Sequence, residues 1–227
     1  MAIPGSALCA MRPKLVIFDC DGVLVDTEAV TNTVIADFLG RHGLVIPPDE
    51  IITLFSGGTM ASVGVEAAKR GAQLPDGWLD QIYGVVFDAL RQGVEVIAGV
   101  NDLIDLLVAH DIGIAIASNG PIPKMEISLG PSGLWSRFEG RIYSGHQHGP
   151  KPKPDMLFQI MRDFGVTASE TVMIDDMPSG CRAAQAACVQ CYGYVADGDP
   201  TRLDGTKAIK VTTMREVASA LGLPAKR

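Results

Sequence analysis

The chain has 227 residues, 47% of them hydrophobic and 20% charged, with a formal net charge of -7. That balance is ordinary for a globular protein, and the length suits one large domain or a core with a modest second domain. The negative charge and the lack of Lys/Arg clusters argue against a nucleic-acid surface, and no apolar run reaches the roughly 18 residues of a membrane span.

Residues 1–13, MAIPGSALCAMRP, lack the basic start and long apolar core of a signal peptide and read as a flexible tail. Five cysteines, an odd number with no export signal, point to reduced thiols in a cytoplasm. Cys188-x-x-Cys191 has no second Cys/His pair at zinc spacing. It falls on an apparent strand, where residues three apart face opposite sides, so it reads as small buried hydrophobes.

Lys14 to Phe18 is an apolar, partly β-branched run without alternation, as expected of a strand buried on both faces of a parallel sheet. It ends in Asp19 and Asp21, one residue apart, followed by Gly22. Two acids so close repel one another unless a cation sits between them. After Glu28, Val30, Val34, Ile35, Phe38 and Leu39 recur at helical spacing until Gly43 stops the pattern. Pro47-Pro48-Asp49 opens a short helix, and Thr59 to Arg70 and Asp76 to Gln92 read as two more. No strand pattern interrupts residues 29–92. Residues 28–92 are therefore expected to form a helical domain inserted between 14–27 and 93–227.

From Val94 the rhythm becomes strand and helix. Helices are expected over Asn101 to His110, Pro154 to Phe164, Ser179 to Ala187 and Met214 to Leu221. Strands are expected over Ile112 to Ala117, Arg141 to Tyr143, Thr171 to Ile174, Val189 to Val195 and Ala208 to Thr212. Such alternation implies a parallel sheet covered on both faces, with its chemistry at the carboxyl ends of the strands.

The segment KLVIFDCDGVLVDTE resembles the first motif of the haloacid dehalogenase superfamily in its phosphatase form, through Asp19, Asp21, Gly22, Asp26, Thr27 and Glu28. Three later segments resemble the remaining motifs in the family's order. They are the strand ending in Ser118-Asn119-Gly120, the run Lys151-Pro152-Lys153-Pro154-Asp155, and the apolar strand ending in Asp175-Asp176. The resemblance implies a Rossmann-like α/β core, a parallel sheet of the haloacid dehalogenase-like type, with an inserted four-helix cap. It implies a phosphoric monoester hydrolase in which Asp19 is the nucleophile, Asp21 the acid and base, and Lys151 the cation on the phosphoryl group. Ser118 and Asn119 would bind phosphate oxygens, and Mg²⁺ would be held by Asp19, Asp21 through its carbonyl, Asp175 and Asp176.

Several branches of the superfamily differ at single positions. Dehalogenating and phosphonate-cleaving members depart at the second acid, and Asp21 argues against both. The β-phosphoglucomutase branch carries a histidine twelve residues after the nucleophile, where Thr31 stands here. A catalytically inactive, phosphate- or metal-sensing protein would lose the nucleophile or the lysine, and both are present. FSGGTM, residues 55–60, lies where family members read substrate through a cap loop, which nominates Gly57 and Thr59; an ordinary Gly-rich turn is the competing reading. SNGPIPKM, residues 118–125, is similar to bacterial 6-phosphogluconate phosphatase-type sequences and tilts the reading toward a sugar or sugar-acid phosphate. Lys124 within it, like Lys153, is expected in solvent. The expected partner is a small phosphorylated metabolite, with no nucleic acid or membrane surface, and the chain is expected as a monomer or weak homodimer.

Overall fold

The structure, a computed structural model, describes residues 12–48, 50–51, 59–196 and 200–224. Six parallel strands form the central sheet: β1 Leu15–Phe18, β4 Gly113–Ser118, β5 Ile142–Ser144, β6 Thr171–Asp175, β7 Gln190–Tyr194 and β8 Ile209–Val211. Their order is β5-β4-β1-β6-β7-β8, so β1 lies between β4 and β6. A separate antiparallel pair, β2 Val25–Asp26 and β3 Glu95–Val96, stands where the chain leaves and re-enters the sheet.

Alternate side chains of each strand enter two different cores. Val16, Phe18, Ile114, Ile116, Val172 and Ile174 pack on one face, against α4 Val100–Ala109, α5 Ile122–Leu129, α6 Leu134–Arg137 and α10 Met214–Ala220. Leu15, Ile17, Ala115, Ala117 and Met173 pack on the other, against α8 Asp155–Phe164 and α9 Pro178–Ala186. All four residues of β1 are fully buried, which explains its unbroken apolar run. Each such side chain contributes about 1.5–3 kcal/mol by leaving water. The sheet is thereby fixed rigidly beneath the residues at its carboxyl edge.

The segment between β2 and β3 contains α1 Glu28–Arg41, α2 Met60–Lys69 and α3 Trp78–Leu90 among the described residues. Residues 48, 50 and 51 are helical, consistent with the short helix expected near Pro48. These helices share their own apolar cluster, including Ile35, Phe38, Leu39, Val63, Ile82, Val86 and Leu90. No helix of the described residues is long and apolar enough to cross a membrane.

The cysteine pattern differs from expectation. Cys188 lies in the turn before β7 at a φ of 58°, rather than on a strand. Cys191 instead meets Cys181 of α9, Sγ to Sγ 3.7 Å, an intersection of helix and sheet that spacing along the chain does not reveal.

Candidate active site

Three adjacent strands end side by side at the carboxyl edge, and each delivers a polar residue there. β1 leads into Asp19, β4 ends in Ser118 and β6 ends in Asp175, followed by Asp176; all four are buried. Asp19 is held in line by its N–H, which donates to the Ile174 carbonyl at 2.9 Å. Gly22, at φ +77°, turns the chain back under the acids, where an added Cβ would lie 2.7 Å from Asp176 Oδ2.

Lys151 brings the compensating charge. Its ammonium lies 2.9 Å from Asp19 Oδ1 and 2.7 Å from Asp175 Oδ2, with the side chain only 3% exposed. Burial works against its charge, but the two carboxylates outweigh burial and push its pKa above the usual lysine value. Asn119 fixes the backbone beneath it: Lys151 N–H donates to Asn119 Oδ1 at 2.7 Å, and Asn119 Nδ2 donates to the Lys151 carbonyl at 3.1 Å. The Asn119 amide thus positions Lys151, while Lys153 is exposed as expected. Ser118 Oγ accepts from the Gly120 N–H at 3.0 Å, which leaves its own proton for an incoming oxygen.

Asp19, Asp175 and Asp176 offer carboxylate oxygens within 4.8 Å of one another. Asp175 is fully engaged, accepting from Lys151 on Oδ2 and from the Met177 N–H on Oδ1 at 2.9 Å. Asp176 is different. Its Oδ2 faces Arg202 at 3.4 Å, while Oδ1 is buried without a hydrogen-bond partner. A buried, orphaned carboxylate oxygen beside two further acids fits a hard divalent cation bound through oxygen. Burial pushes the Asp19 carboxyl up to about 7, helped by Asp175 and Asp21 and opposed by Lys151. Burial likewise raises Asp176 well above the carboxylate range, reinforced by Asp175 and Asp19.

Asp21 lies in a contrasting environment. Burial disfavours its charge, but Lys124 and the Thr27 hydroxyl overcome this and hold its pKa below the usual value. Lys124 Nζ donates to Asp21 Oδ2 at 2.7 Å and Thr27 Oγ1 donates to Oδ1. Here the expectation for Lys124 is corrected: its side chain is 12% exposed and ion-paired, not solvated. The first turn of α5 carries it to the end of β1, and a pairing across 103 residues has no signature in local spacing. Arg202 was equally hidden, on a short turn late in the chain with no motif around it.

A cavity of about 200 Å³ opens above these groups. Its floor is Asp19, Asp21, Ser118, Asn119 and Lys151; Thr31 and Ile35 of α1, Met60 and Val63 of α2, and Tyr83 and Val86 of α3 form the opposing wall. Thr59 lines it too, and its Oγ1 caps α2 by accepting from the Ser62 N–H at 3.4 Å. Gly57 lies outside the described residues.

Comparison with known proteins agrees with this geometry. Residues 16–194 match the family described as haloacid dehalogenase-like hydrolase. The chain is 25% identical over 192 residues to 6-phosphogluconate phosphatase of Escherichia coli, covering 82% of this chain and 84% of the relative. A conserved haloacid dehalogenase-like protein of unknown function from Agrobacterium tumefaciens superposes with a TM-score of 0.79 at 27% identity, covering 92% of this chain and 97% of that one. A family hydrolase from Deinococcus radiodurans, solved with bound phosphate and sodium, gives a TM-score of 0.74 at 27% identity over 93% and 96% of the two chains. With three strand-end motifs and the Lys151 loop converging on one site and most of the chain matched, this protein belongs to the haloacid dehalogenase-like hydrolase family.

Proposed function

We propose that this enzyme is a phosphatase that hydrolyses a small phosphorylated metabolite, a sugar phosphate or sugar-acid phosphate, through an aspartyl-phosphate, with Mg²⁺ as its cofactor. The observation that carries this reading is Lys151 bridging Asp19 and Asp175 beside an acid cluster, with Asp21 one residue from the nucleophile. The phosphatase relative and the phosphate-bearing structural neighbour support it.

In the first step an Asp19 oxygen attacks phosphorus in line, and the alcohol leaves with a proton from Asp21. In the second, Asp21 takes a proton from the water that attacks the aspartyl-phosphate, which frees phosphate and restores Asp19. Lys151 and the Ser118 hydroxyl meet the charge on the phosphoryl oxygens. Asp176 through Oδ1, Asp19 and the Asp21 carbonyl would hold Mg²⁺, with Asp175 reached secondarily because both its oxygens already accept hydrogen bonds. When bound, the cation neutralises charge on the transferring group.

Residues 28–92 act in this reading as a cap, their helices walling the cavity, excluding water and contacting the leaving group. Thr31 cannot shuttle a proton as a histidine can, which favours hydrolysis over mutase chemistry. Phosphate release across a panel of phosphorylated metabolites, with and without Mg²⁺, tests the proposal. Turnover unchanged under full chelation, or retained by Asp19→Asn, would end it.

A further inference from the structure

Two thiols meet beneath the acid cluster, and the transfer chemistry uses neither. Cys181, in the first turn of α9, and Cys191, on β7, are 1% and 4% exposed, and their sulfurs lie 3.7 Å apart. Cys191 pairs with Met173 across β6 and β7, which places the contact two residues below Asp175. The other side of the pair is open. Cys181, Cys188 and Cys191 all line a cleft of about 650 Å³ at the amino ends of β6 and β7, the sheet edge away from the acids. The cleft brings a small uncharged oxidant up to two thiols that burial closes to larger reagents.

We propose that Cys181 and Cys191 are a redox modification site, forming a reversible disulfide with hydrogen peroxide as oxidant, and that this bond switches off the acid cluster above it. The bond forms whatever ester the enzyme hydrolyses; only its effect on turnover rests on the phosphatase reading.

The hydrogen bond between the thiols assigns their order. Cys191 S–H donates to Cys181 Sγ, and this bond, with burial, pushes the Cys191 pKa well above the usual thiol value. Cys191 thus keeps its proton, and Cys181 attacks first. Its sulfur gives up a proton and bonds to one peroxide oxygen; the O–O bond breaks, the other oxygen leaves with the proton as water, and Cys181 becomes a sulfenic acid. The Cys191 sulfur then attacks that sulfur, the S–O bond breaks, and the hydroxyl leaves with the Cys191 proton as a second water. Two electrons pass from the sulfurs to the peroxide, and a thiol reductant returns them. Cys188 is not the partner, since it stands exposed in the turn before β7 while Cys191 packs inward with Cys181. Burial slows the first step relative to an exposed thiol, so the reaction calls for peroxide in large excess.

The link reaches the site through α9. A disulfide is about 2.0 Å long, so the sulfurs must close by roughly 1.7 Å. What side-chain rotation does not absorb moves the first turn of α9 toward β7. Cys181 N–H donates to the Met177 carbonyl at 3.2 Å, and Met177 N–H donates to Asp175 Oδ1 at 2.9 Å. Gly180, next to Cys181, is packed so closely on Asp175 that not even a Cβ fits between them. Movement of this turn therefore displaces Asp175, whose Oδ2 holds Lys151 at 2.7 Å.

The test treats the full-length enzyme, supplied with Mg²⁺, with excess hydrogen peroxide, then reads a peptide map without reduction and kcat for p-nitrophenyl phosphate. The map should join Cys181 to Cys191, and kcat should fall by about 10- to 100-fold, the scale of an ångström's misplacement at a reacting group. Dithiothreitol should reverse both. Cys188→Ser should respond as the wild type does, while Cys181→Ala and Cys191→Ala should keep their activity under peroxide. The wild-type map stands even if either alanine variant fails to fold. No Cys181–Cys191 link, a link with unchanged kcat, or inactivation persisting in Cys191→Ala would each overturn the proposal. An untreated enzyme that hydrolyses no ester would instead remove the proposed function, and the dithiol would then be judged by the mapped link alone.

Discussion

Arg202 faces only one oxygen of Asp176: its Nη2 lies 3.4 Å from Oδ2, while Oδ1 is buried and unpartnered. The guanidinium also donates to the Tyr194 carbonyl at 3.3 Å, which anchors it beside the acid cluster. The two oxygens of Asp176 are thus separated, one facing the Arg202 guanidinium and one that would face the proposed Mg²⁺.

Arg202→Gln should therefore destabilise the chelated enzyme by about 1–2 kcal/mol, below the roughly 3–5 kcal/mol of a broken fully buried pair because the arginine is partly exposed. That is a fall of roughly 2–8 °C in melting temperature for a chain of this size. Mg²⁺ should narrow the gap to wild type, since the ion supplies the missing charge. A gap unchanged by Mg²⁺ would show that Arg202 does not compensate the metal site.

Removing the metal should make stability fall as pH rises. Asp19 moves from an ordinary value of 3.8 to about 7 in the fold, so between these limits the folded state keeps a proton that the unfolded chain has lost. The contribution is full below about pH 4, declines through the window, and is gone above about pH 7. Asp176 shifts in the same direction. Melting of the chelated enzyme should accordingly drop from pH 5 to pH 8, and the stabilisation by saturating Mg²⁺ should be larger at pH 8 than at pH 6, because ligand carboxylates must ionise. A Mg²⁺ effect independent of pH would contradict the acid cluster as the binding site.

Asp19→Asn should abolish turnover, since an amide cannot serve as the nucleophile. Asp21→Asn preserves shape and the backbone carbonyl but removes the acid and base, a loss of roughly 10²–10⁴ in rate. The loss should be smaller for p-nitrophenyl phosphate, whose leaving group departs without a proton, and this substrate should show a burst with phosphate retained on Asp19. Equal losses on alkyl and aryl esters, with no trapped phosphoenzyme in the mass spectrum, would assign proton transfer elsewhere.

Gly180→Ala tests how closely α9 approaches the acids. A Cβ there would lie 1.8 Å from Asp175 Oδ2, the oxygen that holds Lys151. The substitution must displace Asp175, at a cost of about 1–3 kcal/mol in stability, and should lower kcat by releasing Lys151. A folded variant with wild-type kcat would mean that the Asp175–Lys151 pair is not needed in transfer.

Local sequence carried the elements and the strand-end motifs because both are short-range. Apolar runs without alternation ended where strands end, so Asp19, Ser118 and Asp175 could be placed at one sheet edge before any contact was known. The helical spacing from Val30 to Leu39 located α1 within a few residues. Short elements were less legible: α5, α6 and the β2–β3 pair have too few residues for a period to emerge. Gly57, with residues 55–58 of the loop nominated from sequence, lies outside the described residues.

The sequence by itself determined the α/β alternation, the helical insertion and the acids, lysine and serine of the site, because each is written in contiguous residues whose burial follows from their order. Tertiary structure alone decided which groups neutralise which. Lys124 joins Asp21 across 103 residues, Asn119 clamps Lys151 across 32, and Arg202 meets Asp176 across 26. Such pairings are set by strand order and by where each helix begins, and a charge carries no mark in the chain of the partner it will find at 3 Å. That is why the place of Asp19 at the sheet edge could be read directly, while the environment that tunes Asp21 beside it could not.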